Sequence, residues 1–313
     1  MGGMLDVPNS RSSHTTPTPR GGGIAIVAAA TLALLVLALL GNIPRALVMA
    51  LAGGGIAVAA VGFADDHYNI PAAPRLAVHF LAAAWAVYWV GGLESVQIGT
   101  DVARLGWVGA MLSTLGIVWF LNLFNFMDGI DGIAASEGVF IAAVGAMLSP
   151  AGASLSSAAW VIAASCCGFL LWNWPPAKIF MGDVGSGYLG YVLAVLGLRA
   201  AHENADALWV WLILGGVFLL DATLTLLRRA LRGERVYQAH RSHAYQWLAR
   251  RWRGHRPVTL AVIGLNVLWL APCAALARTY PSKAAWITLM ALLPLTVAVV
   301  VAGAGREEQA LSD

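Results

Sequence analysis

The sequence predicts an all-α, polytopic membrane protein: a bundle of about ten transmembrane helices forming one domain over residues 1–313. Three observations carry that prediction. Hydrophobic residues make up 59% of the chain and charged residues only 11%, against about 25% charged in an ordinary globular domain. Apolar runs of roughly 17 to 21 residues recur along the chain, the length a helix needs to cross a bilayer core. The polar segments between them are short, so nothing marks off a soluble domain.

The runs fall at 21–41, 46–64, 76–92, 105–122, 133–149, 157–174, 187–200, 207–227, 257–277 and 284–304. Basic residues near the ends of these runs orient the chain. With the N-terminus in the cytoplasm, Arg11, Arg20, Arg75, Lys178, the nine arginines from Arg228 to Arg256, and Arg306 lie inside, which is 14 of the 19 Lys and Arg residues. Arg45, Arg104, Arg199, Arg278 and Lys283 lie outside. Segments 6–20, 65–75, 122–132, 175–187 and 228–256 then emerge together on the cytoplasmic face, and five polar segments on one face are enough to build one site. The shared site is expected to face the cytoplasm. The three cysteines lack CxxC spacing, so neither a disulfide framework nor a zinc site is expected. The polar stretch before the first apolar run also argues against a cleavable signal peptide.

Acidic residues crowd that face: Asp65 and Asp66, Asp128 and Asp131, and Asp183, with Asp221 inside a span. An acid in a membrane helix is costly, which marks these positions as functional candidates. The competing account is helix capping, since Asp is a good N-cap. Hard cations such as Mg²⁺ favour carboxylate oxygens and complete their shell with water and substrate phosphates. Glycines beside the acids (Gly129, Gly132, Gly182, Gly185, Gly187) permit tight turns and close approach of backbone N–H groups to phosphate. In the loop 228–256, most arginines suit anchoring to anionic lipid. His240-Arg241-Ser242-His243 instead forms a compact donor cluster for phosphate oxygens, while His255 stands apart as an interfacial residue.

Five segments, in order, resemble the polyprenyl-phosphate N-acetylhexosamine-1-phosphate transferases: DVPNSRSSHTTPTPRGGG (6–23), GFADDHYNIPAAPRL (62–76), NLFNFMDGIDGIA (122–134), FMGDVGSGYLG (180–190) and HRSH (240–243). The resemblance implies transfer of a sugar phosphate from a UDP-N-acetylhexosamine to polyprenyl phosphate, with release of UMP and with Mg²⁺, or Mn²⁺ in its place, as cofactor. It makes Asp183 the principal metal ligand, with Asp65 beside it and Asp65 and Asp66 at the phosphate centre. Asn125, Asp128 and Asp131 then line the nucleotide pocket, where Asp131 hydrogen-bonds uracil and Phe180 stacks on it, and Asn122 is a further substrate-binding residue. The resemblance makes Asp65, Asp66, Asp128, His240 and His243 the catalytic candidates. His240, Arg241 and His243 hold the diphosphate or sugar. The HRSHAYQ run resembles the branch that initiates O-antigen with N-acetylfucosamine- or N-acetylquinovosamine-type donors. The phospho-N-acetylmuramoyl-pentapeptide transferase branch is the alternative, and its last cytoplasmic loop is richer in histidine. Family members usually carry one more span before the Asp-x-Pro-Asn segment, so that span either precedes this start in the full protein or is missing. A homodimer is compatible with the resemblance, and no nucleic-acid partner is expected. A proton-coupled transporter and an envelope scaffold protein are the rival readings. Acids gathered at one face, rather than at the membrane midplane, weigh against the transporter.

Overall fold

The computed structural model describes residues 5–6, 17–149, 154–234 and 240–306. Twelve helices follow one another among them: α1 (Gly23–Leu39), α2 (Arg45–Tyr68), α3 (Ala72–Val90), α4 (Trp107–Phe126), α5 (Ile133–Leu148), α6 (Ser154–Asn173), α7 (Asp183–Glu203), α8 (Ala207–Leu214), α9 (Gly216–Leu231), α10 (Ala244–Arg251), α11 (His255–Thr279) and α12 (Ala284–Ala302). Each expected span falls on one of these helices, except that 207–227 falls on the pair α8 and α9, bent by 73° around Gly215. By length and composition, six helices are able to cross a membrane, or seven if the bent pair is one span. The expected count of ten is higher because it includes α1 and α5, apolar but only 17 and 16 residues long, and α3, which carries Arg75 and His79.

The remaining regular structure is slight. Strands β1 (Leu5–Asp6) and β2 (Thr18–Pro19) pair antiparallel before α1. Strands β3 (Ser95–Ile98) and β4 (Asp101–Arg104) form a hairpin between α3 and α4. The hairpin turns at Gly99 with φ of +64°, a conformation that favours glycine. Most of motif 6–23 and part of the loop before His240 lie outside the described residues, and Arg11 falls there.

Helix α7 is the axis of the bundle, with 83% of its apolar window buried, against 22% for the peripheral α12. Its sequence explains the position. Gly185, Gly187 and Gly190 let neighbouring helices approach closely, the device membrane bundles use where apolar burial cannot drive association. At Gly190 a Cβ would come within 2.7 Å of the Leu121 Cα on α4. Tyr188 and Tyr191 are fully buried between these contacts. The Tyr191 hydroxyl donates to the carbonyls of Ala50 at 2.8 Å and Ala82 at 3.1 Å. Ala50 lies in a π-helical stretch of α2, Met49–Gly54, where the regular hydrogen-bond ladder shifts. One hydroxyl thus joins α7, α2 and α3 inside a medium that offers no water.

Candidate active site

The described parts of the five expected segments meet at one end of this bundle. The Gly22 N–H donates to the Phe180 carbonyl at 2.9 Å, and the Phe180 N–H to the Pro19 carbonyl at 2.8 Å. The 17–20 segment is thereby laid against the loop that leads into α7. Asp66, in the last turn of α2, accepts the N–H groups of Asp183 at 3.0 Å and Val184 at 3.2 Å. It caps α7 across the bundle, so the first-turn amides that α7 cannot satisfy itself are satisfied from another helix. Gly182 is required beside it, with φ of +75° and a Cβ position only 2.6 Å from an Asp66 carboxylate oxygen. Arg20 lies 3.9 Å from the same carboxylate.

The neighbouring acids are placed differently. One guanidinium nitrogen of Arg75, on the first turn of α3, contacts both Asp65 and Asp183, the latter at 3.2 Å. The Asp183 side chain is 33% exposed, against 5% for Asp66. Arg75 and Asp183 border a groove of about 390 Å³ between α2, α3, α4 and α7. Asn122 and Asn125 add amides to its polar end, and Val58, Leu76 and Leu121 form its apolar wall. Asn125 donates to the Ser186 hydroxyl at 2.9 Å, and Asn122 meets His79 at 3.4 Å. Asp128, in the loop 127–132, keeps some exposure but is closely packed by protein. Burial, together with the charges of Asp183, Asp66 and Asp131, raises its carboxyl well above the ordinary carboxylate range, with Arg20 opposing.

The histidine loop is anchored by Asp221 of α9. Its carboxylate accepts the N–H groups of Ala244 at 2.8 Å and Tyr245 at 3.0 Å, capping α10. The Tyr245 hydroxyl then donates to the Phe126 carbonyl at 3.0 Å, drawing the loop to the end of α4. The His240 and His243 rings are 4.8 Å apart, but their surroundings differ. His243 is 2% exposed, with Nδ1 3.6 Å from Asp221, so it is positioned as packing under the loop rather than as an open phosphate contact. His240 remains partly accessible and meets the Ser242 hydroxyl at 2.9 Å. The Arg241 carbonyl accepts from Arg250 at 3.0 Å.

Some expected roles therefore shift. Asp66 is a helix cap, its two oxygens engaged by α7. The Asp131 carboxylate is engaged by the Ala177 N–H and by His255, at 3.0 and 3.1 Å, which leaves it less free for a uracil than expected. His255 is correspondingly not an isolated interfacial residue. Arg75 was visible in the motif but had no role read from it, since only the fold shows that it faces both carboxylates.

Asp65 and Asp183 converge on one cationic group, the Arg75 guanidinium, and both offer hard oxygen donors. Among the described residues no three His, Cys, Asp or Glu side chains converge into a complete cage. Two carboxylates with the remaining positions left to water and phosphate is the usual arrangement for Mg²⁺, and the residues present fit it.

A bundle with six helices long and apolar enough to cross a membrane, and with a carboxylate–guanidinium cluster at one end, defines an integral-membrane protein. Comparison with known proteins agrees. The family model described as glycosyl transferase family 4 matches residues 48–201. A probable undecaprenyl-phosphate N-acetylglucosaminyl 1-phosphate transferase of Bacillus subtilis is 29% identical over 94% of this chain and 82% of its own length. A decaprenyl-phosphate N-acetylglucosaminephosphotransferase of Mycobacterium tuberculosis is 31% identical over 83% of this chain and 72% of its own. A phospho-N-acetylmuramoyl-pentapeptide-transferase of Synechococcus elongatus is 31% identical over 82% and 74%. The chain belongs to glycosyl transferase family 4, and it is a membrane transferase.

Proposed function

We propose that this protein transfers an N-acetylhexosamine-1-phosphate from a UDP-sugar to a polyprenyl phosphate at the cytoplasmic face of a bacterial inner membrane, releasing UMP. The observation that carries the reading is the groove: its polar end holds Arg75, Asn122, Asn125 and Asp183, and its wall is apolar. A lipid phosphate has the same two-part character. Its isoprene units suit the Val58, Leu76 and Leu121 wall, while its phosphate reaches the end where Arg75 supplies a fixed positive charge.

Asp183 and Asp65 would hold Mg²⁺, which supplies charge neutralisation at the diphosphate when bound. Asp66 orders the first turn of α7, so that Asp183 enters the site at a defined angle. Asn122 and Asn125 present amide donors to phosphate oxygens beside it. A phosphate monoester, with a second pKa of about 6, is largely ionised at neutral pH. Direct attack by the lipid phosphate oxygen on the sugar-linked phosphorus therefore needs no strong base, and the P–O bond to UMP breaks as the new one forms.

The named relatives make UDP-N-acetylglucosamine the first donor to try. HRSHAYQ favours an O-antigen-type donor as the second. The test offers purified protein polyprenyl phosphate, Mg²⁺ and a panel of UDP-N-acetylsugars, including the muramoyl-pentapeptide donor, and measures UMP. Release with one donor and dependence on both lipid and Mg²⁺ is expected; no UMP from any donor sinks the reading.

A further inference from the structure

His255 opens α11 directly after Gly254. Its Nδ1 lies 3.1 Å from one Asp131 carboxylate oxygen and 3.3 Å from the Asp131 backbone N–H. The Asp131 N–H donates to Nδ1, so the ring accepts from the backbone while lying against the carboxylate. One turn along α11, the Thr259 hydroxyl donates to the Asp131 carbonyl at 2.8 Å. The second carboxylate oxygen accepts the Ala177 N–H at 3.0 Å. Asp131 is thus held from α11 on one side and holds the 174–182 loop on the other. Asn173 runs parallel to it, accepting the Gly132 N–H and donating to the Ile179 carbonyl, each at 2.9 Å. Ile179 directly precedes Phe180, and the loop ends at the Gly182 turn into Asp183.

The pair is shielded from solvent, with side chains 13% and 12% exposed. An aspartate whose backbone N–H and carbonyl are both held by α11 has a fixed carboxylate position, and one of its oxygens holds the backbone of the loop carrying Phe180. We propose that His255 is a positioning residue for the nucleotide half of the site, acting through Asp131 and Ala177 to fix the Phe180 loop without touching substrate. The proposal rests on the reading of the donor as a UDP-sugar whose base is received by that loop. It makes α11 part of donor recognition, whereas among the described residues the groove is lined from α2, α3, α4 and α7.

The test compares His255→Ala with His255→Asn, whose side-chain oxygen can accept the Asp131 N–H where Nδ1 does. KM for the UDP-sugar is expected to rise about fivefold in the alanine variant, the size of one lost neutral hydrogen bond of about 1 kcal/mol. kcat and the KM for polyprenyl phosphate should stay within about a factor of two, because no interaction made only in the transition state is removed. Asparagine should restore most of the loss. Should His255→Ala fail to fold, Thr259→Val removes the other α11 tie to Asp131 and carries the same expectation. Equal rises in both KM values, a fall in kcat alone, or a lowered melting temperature with unchanged kinetics would each overturn the positioning role. Failure of asparagine to restore donor KM would do the same. A wild-type protein that releases no UMP from any UDP-sugar defeats the transferase reading itself, and this proposal with it.

Discussion

The two ends of the bundle are tied together by different chemistry. At the motif end, carboxylates reach across the fold to helix termini and loops: Asp66 caps α7, Asp221 caps α10, and Asp131 joins the loop after α6 to the start of α11. At the opposite end, the hairpin and its surroundings are held mainly by backbone groups and aromatic donors. The Gln97 N–H donates to the Ala205 carbonyl at 3.1 Å, Trp209 Nε1 donates to the Gln97 carbonyl at 2.6 Å, and His202 Nδ1 lies 2.9 Å from the Gly92 carbonyl. One of the charge pairs there, Arg199 with Glu203 at 2.7 Å, is local to a single helix. Acids at the motif end thus divide into those engaged in holding the fold and those left facing the groove. Counting acids alone overstates how many are free for chemistry.

Asp183 gives the largest expected effect. It is the first residue of α7 but not its cap, since Asp66 supplies that bond, so Asp183→Asn leaves the helix start intact. Turnover should fall about a hundredfold or more, the scale of losing one group that stabilises developing charge, with abundance and melting temperature near wild type. Near-normal turnover at ordinary Mg²⁺ would move the metal site away from Asp183.

The caps should behave in the opposite way. Asp66→Ala and Asp221→Ala each strip a buried acceptor from two backbone N–H groups, and each should cost about 1–2 kcal/mol of stability. The loss would be read as a lower melting temperature in detergent, with activity falling as the site loosens. The asparagine variants keep one acceptor oxygen and should lose less. If alanine at Asp66 lowered turnover with no change in melting temperature, Asp66 would belong with the groove acids instead.

Acidification supplies a smaller test. Burial pushes the His240 imidazole down to about 3, with the charges of His243 and Arg229 adding and those of Glu234 and Asp221 opposing. An unfolded histidine has a pKa near 6.5, so between about pH 6.5 and about pH 3 the unfolded chain binds a proton that the folded loop refuses. Stability from this residue is complete above that window and is lost as pH falls through it. Melting temperature should drop between about pH 7 and pH 5, and drop less in His240→Gln. Parallel slopes for the two proteins would show that His240 is not held neutral.

The smallest effect belongs to the opposite end. Glu203→Ala removes a partly exposed helical ion pair and should change stability by under about 0.5 kcal/mol. Turnover should be unchanged, and a clear loss would show that the two ends are coupled.

Much of this protein was legible before any coordinates. Membrane class, the helical segments and the gathering of the described motif segments at one end follow from apolar run length and from the even number of spans between motifs, both local properties of the chain. The helix boundaries moved by a few residues, and the 207–227 segment broke at Gly215, because a bend there is set by what α8 and α9 pack against. The division of labour among the acids was not legible at all. Asp65 and Asp66 are adjacent and chemically identical, yet one faces Arg75 and the groove while the other caps a helix that begins 117 residues later. A helix turns each residue by about 100° from the next, so neighbours in sequence face different partners. Which partner each meets is decided only when α2, α3, α7 and α11 pack.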